Sequence, residues 1–275
     1  MTHCVRHCRC SELASCSEAK RRNGGACRNT AKPDPLERSG SGERPEKEKI
    51  MEKKRNFQKE LDSLLAQLDG RPKLLLHACC GPCSSYVIEF LAEFFEITIL
   101  YYNPNIYPQA EYERRLNEII DFLPKFEPAV KNKVCFVEDV YNPQEFYDAV
   151  NTKNEPDLAW EGEKGERCRR CYEFRLRRGF DYALKNGFDY FCTTLSISPF
   201  KDAEKINLLG AEIVENYLKN QSVNEEKKVP KWLVSDFKKK GGFKRSLEIS
   251  LEFNLYRQQY CGCVYSKVNK ENYEK

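Results

Sequence analysis

Three cysteine thiols lie within five residues in the segment Cys79-Cys80-Gly81-Pro82-Cys83. The apolar run Leu74-Leu75-Leu76 precedes them and an amphipathic stretch follows, so they lie at the turn between a predicted strand and a predicted helix. Such a cluster is a poor way to build an apolar core, but thiolates are strong ligands for zinc and for iron–sulfur clusters. The segment is therefore a candidate metal site.

A second pair, Cys168 and Cys171, begins another predicted helix, where a spacing of three puts both thiols on one face. The helix N-terminus and the flanking arginines predict a lowered thiol pKa. These arginines are Arg167, Arg169 and Arg170. Together with Cys79 and Cys80 the pair supplies four ligands for a [4Fe–4S] cluster or a structural zinc. The vicinal Cys79-Cys80 pair departs from the CxxC knuckles usual in zinc sites and favours the cluster.

A third group is Cys261-Gly262-Cys263, which could ligate a second metal or close into a readily reduced disulfide. Cys83 is left over beside the first pair and could join that second site. Cys135 and Cys192 fall inside strand patterns and are predicted to be packing residues.

The 275 residues carry a formal net charge of only +4, which by itself does not predict a nucleic-acid-binding protein. The sequence has neither an apolar run of about 20 residues nor a secretory signal pattern, so a cytoplasmic protein that is not in a membrane is expected. There, 14 cysteines indicate metal or redox chemistry rather than a disulfide framework. Of the three histidines, His77 lies in an apolar run and is predicted to orient a site by hydrogen bonding.

Residues 1–50 are poor in apolar side chains and are predicted to be a disordered extension. The extension contains several cysteines, for which a metal-binding role is the less favoured alternative: Cys4, Cys8, Cys10, Cys16 and Cys27. An α/β domain over residues 51–266 and a short tail over residues 267–275 are expected to follow.

Strand and helix patterns alternate through this domain. Strands are predicted at residues 73–78, 96–102, 134–137 and 190–195. Helices are predicted at residues 57–68, 84–95, 107–123, 143–150, 167–186, 202–218 and 246–259. The pattern indicates a mostly parallel, Rossmann-like (HUP-like) sheet with helices on both faces. Ligands of such sheets lie beyond the carboxyl ends of the strands, which is where Cys79 and Cys80 fall.

Residues 219–245 form a basic insertion with nine Lys/Arg against three acids. Trp232, Phe237 and Phe243 are interleaved with these charges. Such a stretch could neutralise phosphates and stack on an unpaired base, whereas a solvated lysine-rich loop is the alternative. Gly241-Gly242 predicts a mobile segment.

Several motifs, in order along residues 71–266, resemble the QueH family of epoxyqueuosine reductases. They are Cys79-Cys80-Gly81-Pro82-Cys83-Ser84, Tyr102-Asn103-Pro104-Asn105-Ile106, the segment from Glu161 to Cys171, Thr193-Thr194-Leu195-Ser196-Ile197-Ser198-Pro199, and Tyr256-Arg257-Gln258-Gln259-Tyr260-Cys261-Gly262-Cys263.

The resemblance implies a cobalamin-independent enzyme that removes the epoxide oxygen of epoxyqueuosine at the wobble position of a tRNA with a GUN-type anticodon, giving queuosine. It implies a [4Fe–4S] cluster on four cysteines: Cys79, Cys80, Cys168 and Cys171. It further implies that Cys261 and Cys263 are a redox-active disulfide or ligands of an additional iron. Some family members have aspartate at the position of Cys83, which could also ligate that iron.

Converting an epoxide to an alkene takes two electrons and two protons, which suits an iron–sulfur cluster beside a dithiol. A metal with an open position could also bind the epoxide oxygen as a Lewis acid. Tyr107, Glu161 and Asp202 lie near motif loops and are candidate proton donors, although structural roles are favoured for all three. The electron donor is not identified. Two alternatives stay open: a zinc-stapled RNA-binding protein, and an ATP-dependent tRNA-modifying enzyme that binds nucleotide at residues 76–85.

Overall fold

The structure, a computed structural model, describes residues 55–220 and 228–267. The predicted extension, its cysteines and the tail beyond residue 267 lie outside the described residues. The described strands are β1 (Lys73–His77), β2 (Glu96–Tyr101), β3 (Cys135–Glu138), β4 (Tyr190–Thr193) and β5 (Lys231–Trp232). The helices are α1 (Phe57–Leu65), α2 (Gly81–Leu91), α3 (Gln109–Phe122), α4 (Glu127–Lys131), α5 (Pro143–Val150), α6 (Glu166–Lys185), α7 (Ala203–Asn220) and α8 (Gly242–Glu252).

The strands form one parallel sheet in the order β3-β2-β1-β4-β5. Side chains of β1 alternate between two cores, as the period of two in a strand requires. Leu74 and Leu76 join a cluster with α2 and α3, whereas Leu75 joins a cluster with α6 and α7. The predicted α/β fold with helices on both faces of a parallel sheet is therefore confirmed.

The basic insertion differs from its prediction. Its residues 231–232 pair with β4 as a fifth strand, and Trp232 and Phe237 are buried in the two cores. These two rings are therefore packing residues, and the expectation that they stack on a base was wrong. The predicted mobility of the two glycines was also wrong, because Gly242 begins α8 in close contact with Phe237 and Tyr86. The last helix spans 242–252 rather than the predicted 246–259.

Close packing of α7 on β5 yields a stability prediction. A Cβ at Gly210 would overlap the ring of Trp232, which is itself held edge-on against Phe191. Gly210→Ala should therefore lower the free energy of unfolding by about 1–3 kcal/mol, measured by denaturant titration.

Gly179 in α6 provides the matched control, because a Cβ there meets nothing within 4 Å. Gly179→Ala should raise the free energy of unfolding by about 0.5–1 kcal/mol through its helix propensity. Equal effects of the two substitutions would contradict the assigned packing.

Among the described residues, no helix is long and apolar enough to cross a membrane.

Candidate active site

The site lies where the strand order reverses. Strands that follow β1 along the chain pair on one side (β2, then β3) or on the other (β4, then β5), so β1 and β4 flank the switch point. Ligands bind at the carboxyl ends of the strands at such points. Cys79 and Cys80 follow β1, and a 3-10 turn at Thr194–Ile197 follows β4. Both chain segments enter one cavity of about 830 Å³.

Cys79, Cys80 and Cys83 form the first thiol group. Their sulfurs all lie within 4.8 Å of one another, and the Cys79 and Cys80 sulfurs are 3.8 Å apart. The backbone at Cys80, immediately before α2, is extended, and of this vicinal pair only Cys79 lines the cavity. This spacing suits metal ligation. The structure thus places Cys83 with the first pair.

Charge in this group concentrates on one sulfur. Hydrogen bonds from the Cys80 and Cys83 thiols, aided by the buried Arg175 guanidinium, hold the pKa of Cys79 well below its usual range. Hydrogen bonds to Cys79, together with burial, raise the pKa of Cys80 and Cys83. Thiolate is the form that ligates metals.

Cys168 and Cys171 face the same cavity from the first turn of α6. The prediction that arginines lower their pKa was wrong, because burial raises the pKa of both thiols. Arg169 and Arg170 pair with glutamates instead of the thiols. Neither Cys168 nor Cys171 joins the compact group around Cys79 in the described part of the chain.

The Cys261-Gly262-Cys263 loop forms the third thiol group. Arg115, fully buried on α3, donates to the carbonyls of Cys261 (3.3 Å) and Tyr260 (3.4 Å). The Gly262 carbonyl accepts from Tyr107 N at 2.8 Å, and Gly262 adopts φ +116°, a conformation that favours glycine. The loop thereby carries both sulfurs, 3.6 Å apart, into the cavity wall.

The two thiols of this loop also differ in charge. A hydrogen bond from Cys263, together with the Lys201 ammonium, holds the pKa of Cys261 well below its usual range. The pKa of Cys263 is raised by the neighbouring Cys261 thiolate.

The cavity wall presents six sulfurs from the three thiol groups: Cys79, Cys83, Cys168, Cys171, Cys261 and Cys263. Cys80 lies behind that wall, fully buried, and accepts a hydrogen bond from Gln258 Nε2 at 3.0 Å.

Buried cations compensate these thiols. Arg175 and Lys201 line the cavity, are only 3% and 8% exposed, and interact with sulfurs on both walls. Burying a cation is costly without an anionic partner. Such a setting fits a set of thiolates that could hold a metal group, because the two cations would balance part of their negative charge.

Buried polar atoms without a protein partner also concentrate here, although such atoms are rare in folded proteins. Those lining the cavity are Asn105 Oδ1, Arg167 Nε, Tyr172 Oη, Arg175 Nε and Gln258 Oε1. A cavity of this size lined by free donors and acceptors is suited to a polar small molecule.

His77 supports the turn rather than the chemistry, as predicted. Its Nε2 donates to the Tyr102 carbonyl (3.0 Å) and its Nδ1 accepts from the Thr193 hydroxyl (2.8 Å). Burial lowers the pKa of His77 to about 4, so the ring is neutral. Its hydrogen bonds join the ends of β1 and β4, which fixes the direction of the Cys79-Cys80 turn.

None of the three candidate proton donors is among the described residues that line the cavity. Glu161 accepts from the amide of Arg167 at the start of α6, and Asp202 accepts from the amide of Lys205 at the start of α7. Tyr107 is partly exposed, and its carbonyl accepts from the Tyr260 hydroxyl. These contacts fit the structural roles favoured for the three residues.

Sequence reasoning missed several cavity residues. Arg175 and Tyr172 lie four residues after Cys171 and Cys168, so the helical period could have placed them on the same face. Lys201 follows the Thr193–Pro199 motif but carries no local signal of its burial. Two cysteines were predicted to be packing residues in strands, and the prediction is confirmed for Cys192, which is buried. It was wrong for Cys135, which is exposed because β3 is at the edge of the sheet.

The sequence of this chain is similar to those of several known proteins. The profile of a family described as "Epoxyqueuosine reductase QueH" matches residues 74–269. The chain is 40% identical over 196 residues to the epoxyqueuosine reductase QueH of Streptococcus pyogenes serotype M1, covering 71% of each chain. It is 38% identical over 225 residues to that of Staphylococcus aureus (81% of this chain, 88% of the relative). It is 35% identical over 199 residues to that of Thermotoga maritima (72% and 91%).

The matched region contains the sheet, apart from Lys73 at the start of β1, and all three thiol groups. The family resemblance that the cysteine motifs indicated is therefore confirmed, and with it an oxidoreductase rather than a zinc-stapled binding module or an ATP-dependent enzyme. The chain belongs to the QueH family of epoxyqueuosine reductases.

Proposed function

We propose that this chain reduces the epoxide of epoxyqueuosine to the alkene of queuosine, at the wobble position of a tRNA with a GUN-type anticodon. The observation that carries the proposal is the single cavity at the switch point, where three thiol groups meet buried cations and unpartnered polar atoms. Its volume of about 830 Å³ suits a nucleoside. The cytoplasmic location stays a prediction.

Four cysteines would hold the metal group: Cys79, Cys80, Cys168 and Cys171. When bound, a [4Fe–4S] cluster would supply one-electron transfer chemistry beside the Cys261-Cys263 pair. The Cys79 turn and the first turn of α6 would fix it between two rigid elements, with Arg175 balancing its negative charge. Cobalamin has no part in this proposal.

Cys261 and Cys263 are the proposed catalytic pair. As a dithiol, the pair would lose two electrons and two protons and form a disulfide, while the epoxide loses its oxygen as water and becomes an alkene. An electron donor, still unidentified, would then reduce the disulfide. In the alternative role the two sulfurs and Cys83 would ligate one additional iron.

The remaining cavity residues would bind the substrate. Lys201 and Arg175 would donate to the epoxide oxygen or to the neighbouring hydroxyls, because both cationic side chains line the cavity. Tyr172 offers a hydroxyl without a protein partner. Exposed Lys239 and Lys244 outside the cavity, and exposed Arg257 on its wall, can neutralise tRNA phosphates, whereas the buried Trp232 and Phe237 cannot stack on a base.

Gly262 tests the geometry of the Cys261-Cys263 loop. A Cβ there would lie 3.0 Å from Ile106 Cγ1 and 3.1 Å from Arg115 Nη1, on backbone at φ +116°. Gly262→Ala should therefore displace the loop and lower the rate of epoxide reduction by about 100-fold, as displacement of a catalytic group does.

Gly187→Ala is the matched control, because Gly187 also has positive φ but its Cβ would meet nothing within 4 Å. It should lower the free energy of unfolding by about 1 kcal/mol and leave the rate unchanged. Similar rates for the two variants would show that the loop position does not matter.

The function can be tested in a bacterium that lacks its own epoxyqueuosine reductase. Expression of this chain should convert epoxyqueuosine to queuosine in tRNA, measured by mass spectrometry of nucleosides. Persistence of epoxyqueuosine at normal protein levels would reject the proposal. A purified protein that carries one zinc ion and no iron would reject the proposed cluster.

A further inference from the structure

Two large aromatic side chains stand in solvent at the mouth of the cavity. Trp160 is 70% exposed and Phe200 is 68% exposed, and both line the cavity that contains the thiols. Exposing such rings forgoes hydrophobic free energy. Single exposed apolar residues are common, but two aromatic rings at one catalytic entrance indicate a recognition surface.

The loops that carry these rings are held in place. Lys201, directly after Phe200, forms an ion pair with Glu163, three residues after Trp160, at 3.1 Å. Lys205 Nζ also donates to the Lys164 carbonyl at 2.6 Å. These contacts bridge the two loops at the cavity entrance.

Further hydrogen bonds fix each loop separately. The Arg167 guanidinium donates to the Leu158 and Ala159 carbonyls, which fixes the turn just before Trp160. The Ser198 hydroxyl accepts from the Phe200 amide at 3.2 Å. The rings therefore extend from preorganised loops, and little ordering entropy would be lost when they bind a partner.

Charges around the mouth indicate the chemistry of that partner. Arg257 is exposed and lines the same cavity, and Lys164 is exposed beside the ion pair. Flat aromatic rings next to exposed cations match unpaired nucleotides, whose bases stack on rings and whose phosphates attract cations. An apolar peptide would leave these cations without partners.

We propose that Trp160 and Phe200 form an aromatic clamp that stacks on the anticodon-loop nucleotides on either side of the wobble nucleotide. The proposal rests on the proposed function, because the modified base must enter the cavity while its neighbours remain at the mouth. The clamp supplies binding of the RNA and takes no part in the reduction.

Kinetics with tRNA carrying epoxyqueuosine test the clamp. Trp160→Ala and Phe200→Ala should each raise KM about 5- to 150-fold with little change in kcat, as the loss of one stacked base predicts. Trp160→Phe, which keeps a flat ring, should restore KM to within about threefold. Leu251→Ala is the matched control, since Leu251 is 80% exposed but is not a cavity residue, and it should leave KM unchanged.

A binding measurement separates this proposal from the proposed function. An anticodon stem-loop with 2-aminopurine next to the wobble position should show a fluorescence change with wild-type protein, reduced in Trp160→Ala or Phe200→Ala. Normal reduction with unchanged KM and fluorescence in both variants would overturn the clamp alone. Ring-dependent binding without any reduction by the wild type would leave the clamp standing and reject the function. Failure of the wild type to bind the stem-loop would overturn the clamp.

Discussion

Replacing Cys79 with alanine should remove bound iron and epoxide reduction together. Cys79 lies at the end of β1, and its sulfur is the one that its neighbours keep in the thiolate form. Loss of a residue that only supports a ligand costs about 10- to 100-fold, so the loss of a ligand should lower the rate by more than about 100-fold. Iron analysis and single-turnover assays on anaerobically purified protein measure both effects.

Cys171→Ala should behave in the same way from the opposite wall of the cavity. The control is Cys135→Ala, because that thiol is exposed on the edge strand and lies outside the cavity. It should keep the iron content and the rate of the wild type. If Cys79→Ala retained its full iron content, the proposed ligand set would be wrong.

Replacing Cys263 with serine should give a different result, in which the cluster is kept and turnover is lost. The Cys263 sulfur lies 3.6 Å from that of Cys261 on a loop held by Arg115, and serine cannot form a disulfide. About four irons per chain should remain, as for an intact cubane cluster, while the rate of epoxide reduction falls by at least about 100-fold.

The iron content distinguishes the two roles of the Cys261-Cys263 pair. A dithiol role predicts equal iron in the wild type and in Cys263→Ser, whereas an iron-ligand role predicts the loss of about one iron per chain. Ser266→Ala is a useful comparison, because it removes a hydroxyl 3.0 Å from the Cys261 sulfur but leaves both thiols. Turnover retained by Cys263→Ser would remove the pair from the mechanism.

The strands and the candidate site, which depend on local sequence pattern, were predictable. The four strands expected from apolar runs are present within one or two residues of their predicted bounds, because runs such as Leu74-Leu75-Leu76 are buried on both faces of a parallel sheet. The cysteine spacing likewise indicated the candidate site, since the switch-point rule places residues after β1 at the ligand crevice.

Features of the fold and of the site that depend on tertiary contacts were not predictable. β5 is two residues long and exists because it pairs with β4, so Lys231-Trp232 looked like part of a basic loop. The pKa of Cys168 was misjudged because its sequence neighbours are arginines, whereas burial and the partners of those arginines decide it. The burial of Lys201 against Glu163 depends on two loops that are distant in sequence.

The most direct test is a single-turnover assay with purified protein. Anaerobically prepared, reduced protein containing iron is mixed with tRNA that carries epoxyqueuosine, without cobalamin, and the nucleosides are analysed by mass spectrometry. The account predicts that queuosine forms with the loss of one oxygen atom, at a rate that depends on Cys79 and on Cys263. Unchanged epoxyqueuosine in the presence of iron-loaded, reduced wild-type protein would contradict it.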